Sequence, residues 1–240
     1  MTLSELLSKP SSWFVHQVAT TLALRGNEIG DEEAIAIANN TSFQNLKTLD
    51  LGRNLIGVKG TTAIAGSTTL QSLEALKVWG NDVGDEGVLA IVNSSTLQNL
   101  EILDLRENNI HERGAVAIAN SSTLHHLKTL RLDHNWIGDG GAIAITESPD
   151  FQRCVRLGLS NNWIGDEGAI AIANSSNFQG LKTLDLGKNW IRDEGAIAIA
   201  NSSTLQNLET LDLRGNELGD EGMIAIRNSS NLQSLTTLLY

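Results

Sequence analysis

Apolar positions in this chain alternate between two rhythms. Across residues 181–191, Leu181, Leu184, Leu186 and Ile191 stand out from polar neighbours, and around Leu184 and Leu186 the alternation has period two. That pattern predicts a short strand with one buried face. The next stretch, Asp193-Glu194-Gly195-Ala-Ile-Ala-Ile-Ala200, changes to helical spacing, with Gly195, Ala198 and Ile199 at i, i+3 and i+4 on the face expected to turn inward. Asp193 is expected to be the N-cap, and Glu194 suits the positive end of a helix. Asn201-Ser-Ser-Thr204 then supplies turn formers. Leu205 refills the core before the next strand, a place taken elsewhere by Phe43, Phe151 and Phe178.

The same sequence of strand, turn and helix recurs every 27 residues. Leu46, Leu73, Leu100, Leu127, Cys154, Leu181, Leu208 and Leu235 keep that step, and one step earlier lies Ala19. An asparagine follows in each full unit, at Asn27, Asn54, Asn81, Asn108, Asn135, Asn162, Asn189 and Asn216. Eight complete units therefore run from about 19 to 234, and a partial ninth ends at Tyr240. A single unit cannot bury its apolar face, but stacked units share a continuous core. The predicted fold is an α/β solenoid with an inner parallel sheet and outer helices. Because helices are bulkier than strands ~4.8 Å apart, the stack is expected to curve into a horseshoe. The asparagines should form a buried ladder that satisfies the turns.

Two domains are expected: an N-terminal cap at residues 1–18 and a repeat domain at 19–240. Leu3, Leu6 and Leu7 suggest a short capping helix, with Trp13, Phe14 and Val18 covering the first unit. At the other end, Leu235–Tyr240 reads as a strand with no helix after it. An uncovered edge invites pairing, so the chain is either part of a longer protein or forms a homo-oligomer through 235–240. Glu147-Ser-Pro149-Asp150 replaces the usual turn in the fifth unit and is expected to bend the stack.

The pattern LxxLxLxxNxIGDEGAxAIA resembles the ribonuclease-inhibitor class of leucine-rich repeats, which also occurs in immune sensors and in the GTPase-activating protein of Ran. The resemblance spans roughly 19–240. Units of 27 residues are slightly short for that class, and its cysteine richness is missing. What the resemblance implies is a scaffold with a concave binding surface. It names no ligand, and no ribonuclease inhibition is inferred.

Charge and composition narrow the partners. A net charge of −11 and a pI near 4.8 argue against nucleic acid and anionic membranes, which need a basic footprint. One cysteine, Cys154, permits no intrachain disulfide. No run approaches the ~18 apolar residues of a membrane span, and the first ten residues lack a signal-peptide core. A cytoplasmic protein is expected, or a secreted effector without a cleaved signal. His125-His126 lacks accompanying ligands for zinc, GDEG lacks the alternating carboxylates of a calcium loop, and Cys154 stands where a core leucine belongs. No cofactor, metal or catalytic set is expected, so the chain is not read as an enzyme.

The binding surface is sought in the variation between units. Residues between the core leucines should face the concave side. One column there runs Ala23, Asp50, Lys77, Asp104, Arg131, Gly158, Asp185, Asp212. The next runs Arg25, Gly52, Trp79, Arg106, Asp133, Ser160, Gly187, Arg214, and a third runs Gly26, Arg53, Gly80, Glu107, His134, Asn161, Lys188, Gly215. These columns vary freely, whereas turn positions such as Asn201, Ser202 and Gln206, also expected to be solvated, barely change. Variation gathered on one face suits a diversified binding surface. Trp136, Trp163 and Trp190 follow the asparagine in three consecutive units and should form a ladder along the rim, and exposed tryptophan is enriched in binding hot spots. With Arg156 added, the concave face is of mixed charge and slightly positive on an acidic chain. The expected partner-binding set is Trp79, Arg106, Arg131, Asp133, His134, Trp136, Arg156, Trp163, Lys188, Trp190 and Arg214. The function expected is a scaffold that binds a protein ligand. The alternatives are a regulator of an enzyme such as a small GTPase and a self-assembling structural unit.

Overall fold

In the computed structural model, residues 20–240 are described; the expected cap at 1–18 lies outside them. Each unit contributes a three-residue strand: β1 (Thr21–Ala23), β2 (Thr48–Asp50), β3 (Ala75–Lys77), β4 (Ile102–Asp104), β5 (Thr129–Arg131), β6 (Arg156–Gly158), β7 (Thr183–Asp185), β8 (Thr210–Asp212) and β9 (Thr237–Leu239). All pair in parallel and in chain order, so the sheet is open, with β1 and β9 at its two ends. Register follows the 27-residue step throughout, as in Leu130↔Leu157 and Leu157↔Leu184. Backbone bonding continues past the strands, as in Leu132 N–H to Gly158 O at 2.8 Å and His134 N–H to Ser160 O at 2.7 Å.

The helices form one layer behind the sheet: α1 (Asp31–Ala38), α2 (Val58–Ala65), α3 (Gly84–Val92), α4 (Glu112–Ala119), α5 (Gly138–Glu147), α6 (Asp166–Asn174), α7 (Asp193–Ala200) and α8 (Asp220–Arg227). Between the layers, Leu181, Leu184, Leu186, Ile191, Ile199 and Leu205 of one unit are all fully buried. At about 1.5–3 kcal/mol per buried aliphatic side chain, this shared core drives the stacking. The inward face of α7 is Gly195, Ala196, Ile199 and Ala200, while Ala198 is half-buried, so the helix is rotated from the expected register.

The asparagine ladder forms. Asn162 Nδ2 donates to Leu132 O at 2.8 Å in the preceding unit and to Ser160 O at 3.1 Å in its own. Asn189 Oδ1 in turn accepts from Asn162 N–H at 2.9 Å and Ile164 N–H at 3.1 Å. Each side chain thus ties its own turn to its neighbour's. A second ladder corrects the reading of Ser202 as solvated: it is buried, and its Oγ donates to Ala173 O at the end of the previous helix, 2.6 Å away. Ser67, Ser94, Ser121 and Ser175 make the same bond. At the fifth unit the rung is missing, because buried Ser148 Oγ finds no partner where Pro149–Arg153 forms a 3-10 turn.

Helix capping departs from the prediction. Asp193 is the first helical residue, not the N-cap, which is Arg192. Its carboxylate reaches forward to the next unit, where Oδ1 accepts from Gly219 N–H and Gly222 N–H, both at 2.8 Å. Asp31, Asp85, Asp139 and Asp166 serve α2, α4, α6 and α7 in the same way. The cap is therefore supplied in trans between repeats. It also explains the glycine that follows Asp193-Glu194: a Cβ on Gly195 would lie 2.7 Å from Asp166 Oδ1 and 2.9 Å from the Ala169 Cβ.

Two junctions lack the aspartate, because Val58 and Glu112 stand in its place. There the backbone takes another route. Gly84 and Gly138, at the start of the following helices, adopt φ +59° and +60°, whereas the capped positions Gly57, Gly165 and Gly219 are extended. The freed amides bond Asn108 O and Asn162 O, both at 3.0 Å. The residues after those asparagines, Asn109 and Trp163, are consequently left-handed.

Candidate binding face

The face of the sheet turned away from the helices carries the three variable columns. The third, from Gly26 to Gly215, is left-handed in all eight units, with φ between 53° and 72°. This is the position just before each asparagine, where the chain leaves the strand. Arg53, Glu107, His134, Asn161 and Lys188 occupy it without glycine's freedom, a strain of roughly 1 kcal/mol or more each.

Along the first two columns the charges settle largely among themselves. Arg25 bonds Asp50 at 2.5 Å across to the next strand, whereas Arg106 pairs with Asp104 at 2.6 Å and Arg214 with Asp212 at 2.5 Å within their own units. Arg131 Nε stands 3.5 Å from Asp133 Oδ2. Side-chain hydrogen bonding to these carboxylates raises the affinity of Arg25, Arg106 and Arg214 for their protons. Burial works against ionisation of Asp212, but the Arg214 bonds outweigh it and hold that carboxyl below its ordinary value. Asp185 has no such partner. Burial pushes its carboxyl above the ordinary value, the bond from Gly187 N–H opposes this, and Asp133 and Asp212 add to the rise. Among the described residues, Lys77, Arg156 and Lys188 have no carboxylate within ion-pair distance.

Two adjoining clefts open on this face and share Asp185. The larger, about 460 Å³, takes in Trp79, Arg106, Arg131, Asp133 and Arg156 of the predicted set; the other, about 400 Å³, takes in His134, Lys188 and Arg214. Lys77 and Asp185 also line the larger cleft and were not singled out from the sequence. Their columns were visible there, but which charges pair off was not. Trp79 is half-buried, lies flat over Gly52, and has Arg53 and Arg106 guanidinium carbons 5.0 and 5.2 Å from its ring centre. It forms a wall of the cleft and does not join the exposed aromatic ladder.

That ladder lies along the loops between strand and helix. Trp136 and Trp163 stack with ring centres 5.8 Å apart and planes 8° from parallel, and Trp163 and Trp190 do so at 5.7 Å and 5°. His111 meets the first indole edge-on at 5.1 Å. The indoles both support one another and stay open: Trp136, Trp163 and Trp190 are 47%, 51% and 56% exposed. The three thus present a strip of indole edges to solvent.

Elsewhere the signals set aside find structural roles. His125 Nδ1 lies 2.7 Å from Asp150, whose hydrogen bond raises the imidazole's proton affinity. Cys154 is buried and its thiol is pushed up to about 12 by burial. Among the described residues no cluster of three or more His, Cys, Asp or Glu side chains could hold a metal, and no helix is long and apolar enough to cross a membrane.

A family model described as Leucine Rich repeat matches residues 20–38, 44–65, 69–92, 96–119, 123–145, 155–173, 180–200 and 204–226, well over half of the chain. No curated protein sequence matches. Among solved structures, an internalin C2 from Listeria monocytogenes is similar at 22% identity and TM-score 0.62, covering 99% of this chain and 89% of its own. A TDR receptor matches at 17% identity and TM-score 0.53 over 96% of this chain, and a plant ice-binding protein at 16% and 0.51 over 91%. The chain spans only 36% of that receptor and 63% of that ice-binding protein. At these identities the likeness shows the fold alone.

Proposed function

Since the chain belongs to the leucine-rich-repeat family, whose repeats generally mediate protein–protein interaction, we propose that it is a non-enzymatic scaffold that binds a protein partner through the open face of its sheet and the Trp136–Trp163–Trp190 strip. The three structural neighbours include a receptor and an ice-binding protein, so the fold by itself does not choose the ligand and the surface has to. The observation that carries the reading is the tryptophan strip. Three consecutive indoles, each about half exposed, are a poor choice for a merely solvated loop, and tryptophan is the residue most enriched where binding energy concentrates. The adjoining face adds unpaired cations and two clefts, which suit a polar rim around that apolar strip.

The test is affinity capture from a host lysate with the native chain, a Trp136→Ala/Trp163→Ala/Trp190→Ala variant and an Arg131→Ala/Arg156→Ala variant. Each is first shown to unfold cooperatively in urea. A partner held by the native chain and lost by the tryptophan variant is the expected result. Equal capture by all three proteins would remove both the strip and the open face from the account.

A further inference from the structure

The open face carries more than a generic contact surface, because its larger cleft has an uneven chemistry. On a chain of net charge −11, that 460 Å³ space is lined by five cations against three carboxylates. Two of the cations are committed to Asp50 and Asp104. Lys77 and Arg156 are committed to none, and Arg131 is held only loosely by Asp133. With those pairs set aside, Lys77, Arg131 and Arg156 face Asp133 and Asp185, an excess of one positive charge on an acidic molecule, and such an excess favours an anionic group.

A second, independent feature points to what that group is attached to. Asp133 is 3% exposed, and its Oδ2 accepts no hydrogen bond, the nearest cation being Arg131 Nε at 3.5 Å. Its Oδ1 is served by Ser160 N–H and Oγ–H at 3.4 and 3.2 Å. A buried carboxylate oxygen without a donor costs roughly 1–3 kcal/mol, which a ligand N–H would recover. Asp185 shares the cleft and, unlike Asp133, has no cation within ion-pair distance. A compact dianion such as hydrogen phosphate sets its charge close to both carboxylates and would be repelled by them. A peptide offers a carboxylate for the cations and an amide N–H for Asp133, and Trp79 gives its aliphatic stem an apolar wall.

We propose that this cleft docks an acidic segment of the partner protein, with an Asp or Glu side chain seated between Lys77, Arg131 and Arg156 and a peptide N–H meeting Asp133 Oδ2. This rests on the open-face reading above and specifies its ligand.

Isothermal titration calorimetry on the full chain tests it with four probes: an N-acetylated, C-amidated Gly-Glu-Ala-Glu-Gly peptide, its Gln and Lys counterparts, and inorganic phosphate. The Glu peptide is expected to bind, about tenfold or more tighter than the Gln peptide, and to weaken as salt screens the charges. Lys77→Ala/Arg156→Ala should lose about tenfold, and Lys77→Arg/Arg156→Lys should retain most of the affinity. Both substituted side chains are at least partly exposed, so matching urea midpoints will separate lost binding from lost fold. Equal binding of the Glu and Gln peptides, preference for the Lys peptide, phosphate binding tighter than the Glu peptide, or no effect of the double alanine variant would each overturn the assignment. If the Glu peptide fails while tryptophan-dependent capture persists, only this ligand class falls. If both fail, the open-face reading falls with it.

Discussion

Asn135→Ala removes one central rung of the ladder, and the structure sets the size of the loss. Asn135 is fully buried. Its Nδ2 donates to Leu105 O at 3.0 Å and Leu132 O at 2.8 Å, and its Oδ1 accepts from Asn108 N–H and Ile110 N–H, both at 3.0 Å. Leu132 O keeps a second donor in Asn162. The substitution therefore strands two N–H groups and one carbonyl in the interior. At the lower end of about 1–3 kcal/mol for each buried group left unsatisfied, the expected loss is about 3 kcal/mol. A solenoid is stabilised by nearest-neighbour coupling, so the damage should weaken the junction of the fourth and fifth units most. Equilibrium urea unfolding, followed by both far-UV circular dichroism and tryptophan fluorescence, measures it. Asn99→Ala is the control, because that amide makes one exposed bond, to Gln71 O at 3.1 Å, worth about 1 kcal/mol at most. If Asn135→Ala costs no more than the control, the ladder is not what closes the turns and the reasoning fails.

Val58→Asp supplies the missing trans cap to α3 at an exposed position and should stabilise by about 1 kcal/mol; an unchanged or lower urea midpoint counts against the capping account. Asp185 binds its proton more tightly when folded, so its ionisation weakens the fold as pH rises through the unfolded and then the folded value. Asp185→Asn keeps an acceptor for Gly187 N–H and should raise Tm at neutral pH, with the gain vanishing in acid; a gain that persists there would rule out linkage to this carboxyl. Trp163→Ala removes two indole stacks and Trp190→Ala one, so the first should cost more, by about 1 kcal/mol, and equal melting curves would refute that ordering. Cys154, with its thiol pushed up to about 12, should ignore a thiol-specific disulfide reagent in the native state and react fully on unfolding; rapid native labelling would show that the thiol is open to solvent.

The stacked architecture was legible because the core repeats by identity. Leu184, Asn189 and Ile199 recur with one step, and a periodic apolar pattern has only one economical way to be buried. The tryptophan ladder was legible for the same reason, since equal positions in successive units must stack. What escaped was whatever depended on the choice between two nearby partners. Asp193 looks like a cap for its own helix, and nothing in the local sequence says that the carboxylate points to the next one. Ser202 looks like a turn residue, yet its hydroxyl meets a carbonyl 29 positions earlier. On the open face, Arg25 pairs across strands while Arg106 pairs within its own unit, a difference of rotamer that composition does not encode. The contrast between constant turns and variable columns also loses part of its weight, because burial explains the constancy of serine.

The trans caps impose a rule on how this chain could be shuffled. Repeats of equal length look like interchangeable cassettes, but each junction has a polarity set by its upstream member. Behind Asp85 the receiving position is extended and accommodates His111; behind Val58 or Glu112 it is left-handed and holds Gly84 or Gly138. Exchanging the third unit for the fourth would place a histidine where only glycine is comfortable, while the reverse graft is conformationally free. Cassettes with glycine at that site can follow any neighbour, and the others only one that brings an aspartate, so the lineages open to duplication are fewer than the uniform spacing suggests.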